Sequence, residues 1–206
     1  MANILVPYYS AYGHIYSMAQ AVVDGASEVE GTEVKLVKVE EFEATEKAMS
    51  AQDAYVEAQK AQSDVPIATH DDLRWAHGIV WGIPTRYGNM PAQIKQYLDS
   101  AGALWMNGEL EGKATGIFSS TGSIHGGQET TAITSLVPLL HFGLIYVGLP
   151  YGENPEQLTT DAIGGSPYSA STVAGSDGSS QPDERDYTMA KRLGKRVAHV
   201  AKKLNS

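Results

Sequence analysis

The chain has 206 residues, of which 42% are hydrophobic and 19% are charged, and its formal net charge is −9. These values predict one globular domain over residues 1–206 with a buried core, and they exclude an intrinsically disordered chain. The acidic charge, with the basic residues concentrated between positions 191 and 203, argues against a nucleic-acid-binding protein. Since the chain has no cysteine, disulfides, thiolate nucleophiles and thiolate metal sites are excluded.

The sequence also argues against secreted, membrane and metal-binding proteins. The N-terminus enters a strand-like segment at once, which leaves no room for a signal peptide. The longest apolar runs are too short to span a bilayer. His70, His77, His125 and His199 are not spaced as metal ligands are. We therefore expect a cytoplasmic protein without membrane insertion and without a metal site.

The first half of the chain predicts three strands, a helix and a helical insertion. Residues 4–9 form an apolar run typical of a buried parallel strand, and the apolar residues after it recur at steps of three and four, as on a helix face. Residues 33–39 alternate polar and apolar, which predicts a strand at a sheet edge. Residues 41–72 carry no strand signal, so we expect a surface insertion of one or two helices, which could also cover a neighbouring subunit. A third buried strand is predicted at 77–83.

After the third strand, proline and glycine residues delimit the predicted helices. Pro91 suits the first position of a helix, and Gly102 suits the position just after its end, which leaves a loop at residues 103–108. Another helix is predicted from about Thr130, and Pro138 should kink or end it.

Two further strands are predicted at residues 113–119 and 144–149. Residues 151–182 are rich in Gly, Ser, Thr and Pro and predict a long loop, of the kind that is often functional, before a final helix that begins near Pro182. Five strands that alternate with helices predict an α/β fold with a doubly wound, five-stranded parallel sheet and helices on both faces.

In such a sheet, ligands bind beyond the carboxyl ends of the strands. Three predicted loops fall at those ends, at residues 10–15, 85–89 and 119–127. All three are rich in hydroxyls, glycines and aromatic residues, and none carries a pair of carboxylates. Their convergence predicts a binding site at this edge.

The first loop joins a strand to a helix within a few residues. Backbone N–H groups and the positive end of the helix dipole meet there and would stabilise a phosphate. Ser10 can add a hydroxyl donor, and Gly13 lets the backbone approach closely. The loop lacks the glycine patterns of NTPase phosphate loops and of Rossmann dinucleotide sites. On its own it could equally be a turn whose Ser and Gly serve only backbone geometry.

The second and third loops favour a phosphate ligand that also carries a flat ring. These two loops, which contain Gly, Thr, Arg and Tyr residues, could donate backbone hydrogen bonds to the edge of such a ring and cover its face. FMN has both parts, and flavodoxin-like sheets bind it at this position. We therefore expect FMN as the cofactor and a flavodoxin-like sheet.

Six segments, spread over nearly the whole chain, carry a resemblance to a known family: residues 8–15, 84–90, 102–105, 118–122, 126–129 and 165–172. In this order they resemble the WrbA-type NAD(P)H:quinone oxidoreductases. The resemblance implies a flavodoxin-like, FMN-dependent enzyme, usually a homotetramer, that takes hydride from NADH or NADPH and reduces quinones by two electrons.

The resemblance also implies which residues bind the cofactor. The FMN phosphate would be held by Ser10, Ala11, Tyr12, Gly13, His14 and Ile15. The flavin ring and ribityl chain would contact the second loop, at Thr85, Arg86, Tyr87, Gly88 and Asn89. The far edge of the flavin would contact the third loop, at Ser120, Thr121, Gly122, Ser123, Gly126 and Gly127.

Three further residues receive roles from the resemblance. His141 matches a histidine near the flavin, Tyr12 resembles a residue on the nicotinamide side, and Trp105 resembles the aromatic wall of the substrate pocket. Simpler interpretations exist: Trp105 could be a core residue, His141 could only interact with a helix dipole, and Arg86 could pair with a surface carboxylate.

The expected mechanism is a ping-pong cycle in which nicotinamide stacks on the flavin, passes a hydride and leaves, after which a quinone takes its place. Tyr12 and Trp105 would sandwich both flat substrates. No acid or base is assigned, and His141 is the candidate proton donor. The alternatives are a one-electron flavodoxin carrier and a non-catalytic FMN-binding regulatory module.

Overall fold

The computed structural model describes Met1–Asn205, and its centre is a parallel β-sheet. Across the sheet the strands run in the order β2-β1-β3-β4-β5, and β6 also pairs with β4. The predicted parallel sheet and the edge position of β2 are therefore confirmed. The strands are β1 (Ala2–Tyr8), β2 (Thr32–Lys38), β3 (Gly78–Pro84), β4 (Ala114–Thr121), β5 (Ile145–Tyr146) and β6 (Ala170–Val173).

Helices cover both faces of this sheet. The helices are α1 (His14–Ser27), α2 (Glu43–Met49), α3 (Asp53–Ala61), α4 (His70–Trp75), α5 (Ala92–Ser100), α6 (Gly102–Met106), α7 (Gln128–His141) and α8 (Glu184–Leu204). One core lies between the sheet and the pair α1 and α8, and the other lies under α3 to α7. Among the described helices, none combines the length and the apolar character needed to cross a membrane.

The five predicted strands are present, and a sixth strand shares the fifth position of the sheet. β5 pairs only with Ala114 and Thr115 at the start of β4, whereas β6 pairs with residues 118–121 at its end. The predicted strand 144–149 is therefore shorter, and the predicted loop 151–182 contains a strand. The division brings the chain after β6 to the carboxyl edge of the sheet.

Two predicted helix boundaries are also corrected. The sequence predicts that Gly102 follows the end of a helix and leads into a loop at residues 103–108. Instead, the chain turns at Ala101, and residues 102–106 form α6, whose Leu104 is buried in the core. Pro91 immediately precedes α5, and α7 begins at Gln128 and continues beyond Pro138 to His141. The insertion 41–72, for which one or two helices are predicted, contains α2, α3 and the first half of α4.

Helices α1 and α8 approach each other so closely that glycine is required on both. A Cβ atom built on Gly25 of α1 would lie 1.8 Å from the backbone oxygen of Lys191. A Cβ atom on Gly194 of α8 would lie 2.1 Å from the backbone oxygen of Val22. Both distances are far below van der Waals contact, so the two backbones can meet only at glycine. This contact fixes α1, and with it the loop that precedes α1, against the C-terminal helix.

We expect Gly194→Ala to destabilise the protein, although alanine is the better helix former by about 1 kcal/mol. The added methyl group must push α1 and α8 apart, which should lower the free energy of unfolding by about 1–3 kcal/mol. Gly102→Ala is the control, because nothing lies within 4 Å of a Cβ built there. Urea denaturation of both variants measures the difference, and equal midpoints would contradict the packing described.

Candidate functional site

A cleft of about 720 Å³ lies beyond the carboxyl ends of the strands. We call it the strand-end cleft. Four loops line it, at residues 10–15, 84–86, 120–122 and 174–181, together with Gln52, the N-cap of α3, and residues on α3. The first three contain most of the predicted cofactor residues. The fourth follows β6 and lies within the predicted long loop 151–182, but none of its residues is among the predicted site residues.

The first loop is organised by Ser10, whose hydroxyl oxygen accepts hydrogen bonds from Gly13 N (3.1 Å) and Tyr16 N (3.3 Å). Gly13 is the N-cap of α1 and has a φ of 94°, a left-handed conformation that favours glycine. Because the Ser10 oxygen accepts twice, its own proton is free to donate to a ligand. Sequence analysis predicted that Ser10 would donate, and the structure adds that it also shapes the loop.

The same loop holds five backbone N–H groups for which the described residues supply no acceptor. They belong to Ser10, Ala11, Tyr12, His14 and Ile15, and the last two lie in the first turn of α1. N–H groups of this kind, at the positive end of a helix dipole, bind phosphate. Together with the Ser10 hydroxyl they form a donor set that fits the phosphate of FMN.

Charge in the strand-end cleft is sparse. Of the described residues that line it, Arg86 is the one permanent cation, while Glu57 and Asp177 are anions. Since no lysine lines the cleft, neutral N–H donors rather than ammonium groups must stabilise a bound anion.

The second loop is clamped to its neighbours through Thr85. The Thr85 N–H donates to the carbonyl of Ser120 (2.9 Å), and its hydroxyl oxygen accepts from Gly88 N (3.1 Å) and from the Thr131 hydroxyl (2.7 Å). The Thr85 side chain therefore holds the loop between β4 and α7. Thr85 and Arg86 line the strand-end cleft, whereas Gly88 and Asn89 do not.

The tip of this loop presents a tyrosine to solvent. Arg86 and Asn89 pair through two backbone hydrogen bonds, so Tyr87 and Gly88 form a two-residue turn, with φ of 56° and 75°. Such a turn requires positive φ at both positions, which is costly for tyrosine. The Tyr87 side chain is fully exposed in the isolated chain.

The third loop divides into a part that lines the strand-end cleft and a part that leads into α7. Ser120, Thr121 and Gly122 line the cleft. Ser123, Gly126 and Gly127 do not line it: the Ser123 carbonyl accepts from Thr121 Oγ1 (3.1 Å) and Gly126 N (2.9 Å), and Gly127 is the N-cap of α7.

The fourth loop, residues 174–181, is joined to both the third loop and the first. Ala174 N donates to the carbonyl of Thr121 (2.7 Å), and His14 Nε2 lies 3.0 Å from the carbonyl of Ser180. Because a carbonyl oxygen can only accept, Nε2 carries the proton in this contact. The sequence signal that could have located β6, and with it the position of this loop, is the β-branched pair Thr172-Val173, but the pair stands within a Gly- and Ser-rich segment.

A second cleft, of about 940 Å³, adjoins the first at Arg86, which lines both. We call it the aromatic cleft, and its walls include Tyr87, Trp105, His141 and Phe142. Trp105 Nε1 donates to the backbone carbonyl of His141 (2.8 Å), so these two predicted residues lie together.

The exposure of Trp105 decides whether it is a core residue, and its position shows that it is apart from Tyr12, its expected partner. Trp105 is half exposed (52%), so it is not a core residue. Tyr12 lies in the strand-end cleft, where its hydroxyl donates to Gln52 Oε1 (2.9 Å). Within one chain, Tyr12 and Trp105 therefore line different clefts.

Comparisons with known proteins relate the chain to one family. A model of the NADPH-dependent FMN reductase family matches residues 9–151. A protein of Geotalea daltonii named NAD(P)H dehydrogenase (quinone) is 47% identical over 205 residues, which cover 98% of each chain. A protein of Geobacter sulfurreducens with the same name is 46% identical over 98% of this chain and 99% of its own.

A solved structure supports the fold. The flavodoxin, WrbA-like protein from Agrobacterium tumefaciens superposes with a TM-score of 0.69 at 22% identity, over 98% of this chain and 99% of that one. The flavodoxin-like fold predicted from the sequence is confirmed.

We expect Ser10→Ala to weaken FMN binding and to leave the binding of riboflavin, which lacks the phosphate, nearly unchanged. Loss of one charge-assisted hydrogen bond costs about 1.5–3 kcal/mol, so the FMN dissociation constant should rise by about 10- to 100-fold. Flavin fluorescence titrations measure both ligands. Ser17→Ala is the control, since the Ser17 hydroxyl contacts Tyr187 outside the cleft. Wild-type FMN affinity in Ser10→Ala would contradict the assignment.

Proposed function

This chain belongs to the NADPH-dependent FMN reductase family, and we propose that it transfers a hydride from NADH or NADPH, through bound FMN, to a quinone. Relatives that match 98% of the chain carry the name of this activity. The observation that carries the proposal is the donor set of the first loop, which offers a phosphate five N–H groups and a hydroxyl.

The cofactor assignment follows the strand-end cleft. Residues 10–15 hold the FMN phosphate, while Thr85, Arg86 and residues 120–122 line the space for the ribityl chain and ring. Residues 174–181 add an outer wall. Tyr87 and Asn89 line the aromatic cleft, from which they would contact the flavin. The remaining predicted residues would shape the backbone of their loops rather than touch the cofactor; they are Gly88, Ser123, Gly126 and Gly127. All these segments belong to one sheet, in keeping with a single flavodoxin-like domain over 1–206.

Bound FMN supplies a ring that accepts a hydride and passes it on, which protein side chains cannot do. The protein orients that ring and supplies electrostatic stabilisation. Arg86 places a positive charge at the junction of the two clefts, where negative charge would develop during reduction.

The aromatic cleft suits the substrates, because nicotinamide and quinone rings are both flat and can stack on aromatic side chains. Trp105 and Tyr87 offer faces for stacking. A single cleft for both substrates requires them to bind in turn, as in a ping-pong cycle. His141, in the same wall, is placed to donate a proton to the reduced quinone.

The surface beside the aromatic cleft favours assembly into the homotetramer that the resemblance implies. Exposed apolar side chains there include three on one face of α7, and patches of this kind mark protein interfaces. They are Tyr87, Met106, Ile133, Val137 and Leu140. A cytoplasmic location completes the proposal.

Anaerobic mixing of FMN-loaded protein with NADH or NADPH tests the proposed function. We expect the nicotinamide alone to bleach the flavin absorbance, and a soluble benzoquinone to restore it. Bleaching only when a partner reductase is added would instead indicate an electron carrier. A flavin that neither nucleotide nor reductase bleaches would indicate a binding module.

We expect Trp105→Ala to raise the KM for a benzoquinone by about tenfold, because the variant loses a stacking surface worth about 1 kcal/mol and part of the cleft wall. The dissociation constant for FMN should not change. Leu158→Ala is the control, since Leu158 is exposed and lines neither cleft. Steady-state kinetics decide, and an unchanged KM would remove Trp105 from the substrate site.

A further inference from the structure

Helix α3 of the insertion 41–72 lies directly behind the first loop and contacts its backbone. Two glutamine side chains make these contacts, Gln59 near the end of α3 and Gln62 just after it. They are separated from the loop by 48 to 52 positions in the sequence, so only the fold brings them there.

The Gln62 amide is fixed at both ends. Its Nε2 donates to the carbonyl of Ser10 (3.0 Å), and its Oε1 accepts from the Tyr8 hydroxyl (3.0 Å). Burial raises the pKa of Tyr8, so this hydroxyl keeps the proton that it donates. The side chain is buried, and its backbone carbonyl accepts from Lys38 Nζ (2.9 Å). Gln62 therefore has a single orientation, with its NH₂ group toward the loop.

Gln59 contacts two successive carbonyl groups of the loop. Its Nε2 lies 3.0 Å from the carbonyl oxygen of Ser10 and 3.1 Å from that of Ala11. The Ser10 carbonyl thus accepts from both glutamines, and the Ala11 carbonyl from one. Neither carbonyl is bonded within a helix or strand, so the glutamines replace the regular partners that this irregular backbone lacks.

Peptide planarity carries this restraint across to the ligand side of the loop. In a trans peptide, the C=O of one residue and the N–H of the next point in opposite directions. When the Ser10 and Ala11 carbonyls are held toward α3, the N–H groups of Ala11 and Tyr12 must point away from it. These two N–H groups have no acceptor among the described residues, and both residues line the strand-end cleft.

We propose that Gln59 and Gln62 are positioning residues for phosphate recognition: they hold the Ser10 and Ala11 carbonyls and thereby aim the Ala11 and Tyr12 N–H groups at the phosphate of the cofactor. The inference rests on the proposed function, because it requires the first loop to be the phosphate site. It assigns a role to the insertion, which serves as the support of the loop.

The test compares FMN with riboflavin, since the two ligands differ only in the phosphate. In Gln59→Leu, which keeps the size of the side chain but cannot donate, the FMN dissociation constant should rise by about tenfold. The riboflavin dissociation constant should stay within about twofold of the wild-type value, because the ring contacts lie elsewhere. Gln62→Leu should act in the same direction. Gln20→Leu, at an exposed position on α1, is the matched control.

The outcomes distinguish a failure of the positioning role from a failure of the proposed function. If the wild type binds FMN no more tightly than riboflavin, the first loop is not the phosphate site, and the proposed function fails as well. If the wild type binds FMN more tightly than riboflavin and Gln59→Leu shows the same ratio of the two dissociation constants, the positioning role is refuted. An equal loss of both ligands would also refute it, since that is the result of general destabilisation. Should Gln62→Leu fail to fold, Gln59→Leu decides alone.

Discussion

Backbone N–H groups without a protein acceptor are the constraint on which the rest of this structure depends. Such groups are costly to leave unpaired, and the first loop holds five of them at one end of β1. Their positions are maintained from three sides. The Ser10 hydroxyl closes the loop from within, the amides of Gln59 and Gln62 hold it from behind, and the glycine contact between α1 and α8 fixes the helix that follows.

The division of the fifth strand position places the remaining parts around this loop. Because β5 is short, the end of β4 is free to pair with β6, and the segment after β6 reaches His14 at the start of α1. One wall of the strand-end cleft is therefore a segment far along the chain from the first loop, since His14 and Ser180 are 166 positions apart. On the other side, Arg86 lines both the strand-end cleft and the aromatic cleft, so the proposed cofactor and substrate surfaces share one boundary residue.

Local sequence signals predicted the sheet, the three principal loops and the strand-to-helix turn at residues 10–15. The apolar runs that become β1, β3 and β4 are long and uninterrupted, and a strand-to-helix turn is a local event. The missed features depend on tertiary contacts. β6 is four residues long and is stabilised by β4, α6 forms because Leu104 is buried, and Gln59 has the same local sequence signal as any surface glutamine on a helix.

The most direct test of the phosphate site is a crystal structure of the FMN complex. The donor set predicts phosphate oxygens at about 3 Å from the N–H groups of Ala11, Tyr12, His14 and Ile15 and from the Ser10 hydroxyl, with the flavin ring against Thr85 and residues 120–122. A phosphate bound outside the first loop, or a flavin ring seated against Trp105 with the loop unchanged, would contradict the assignment.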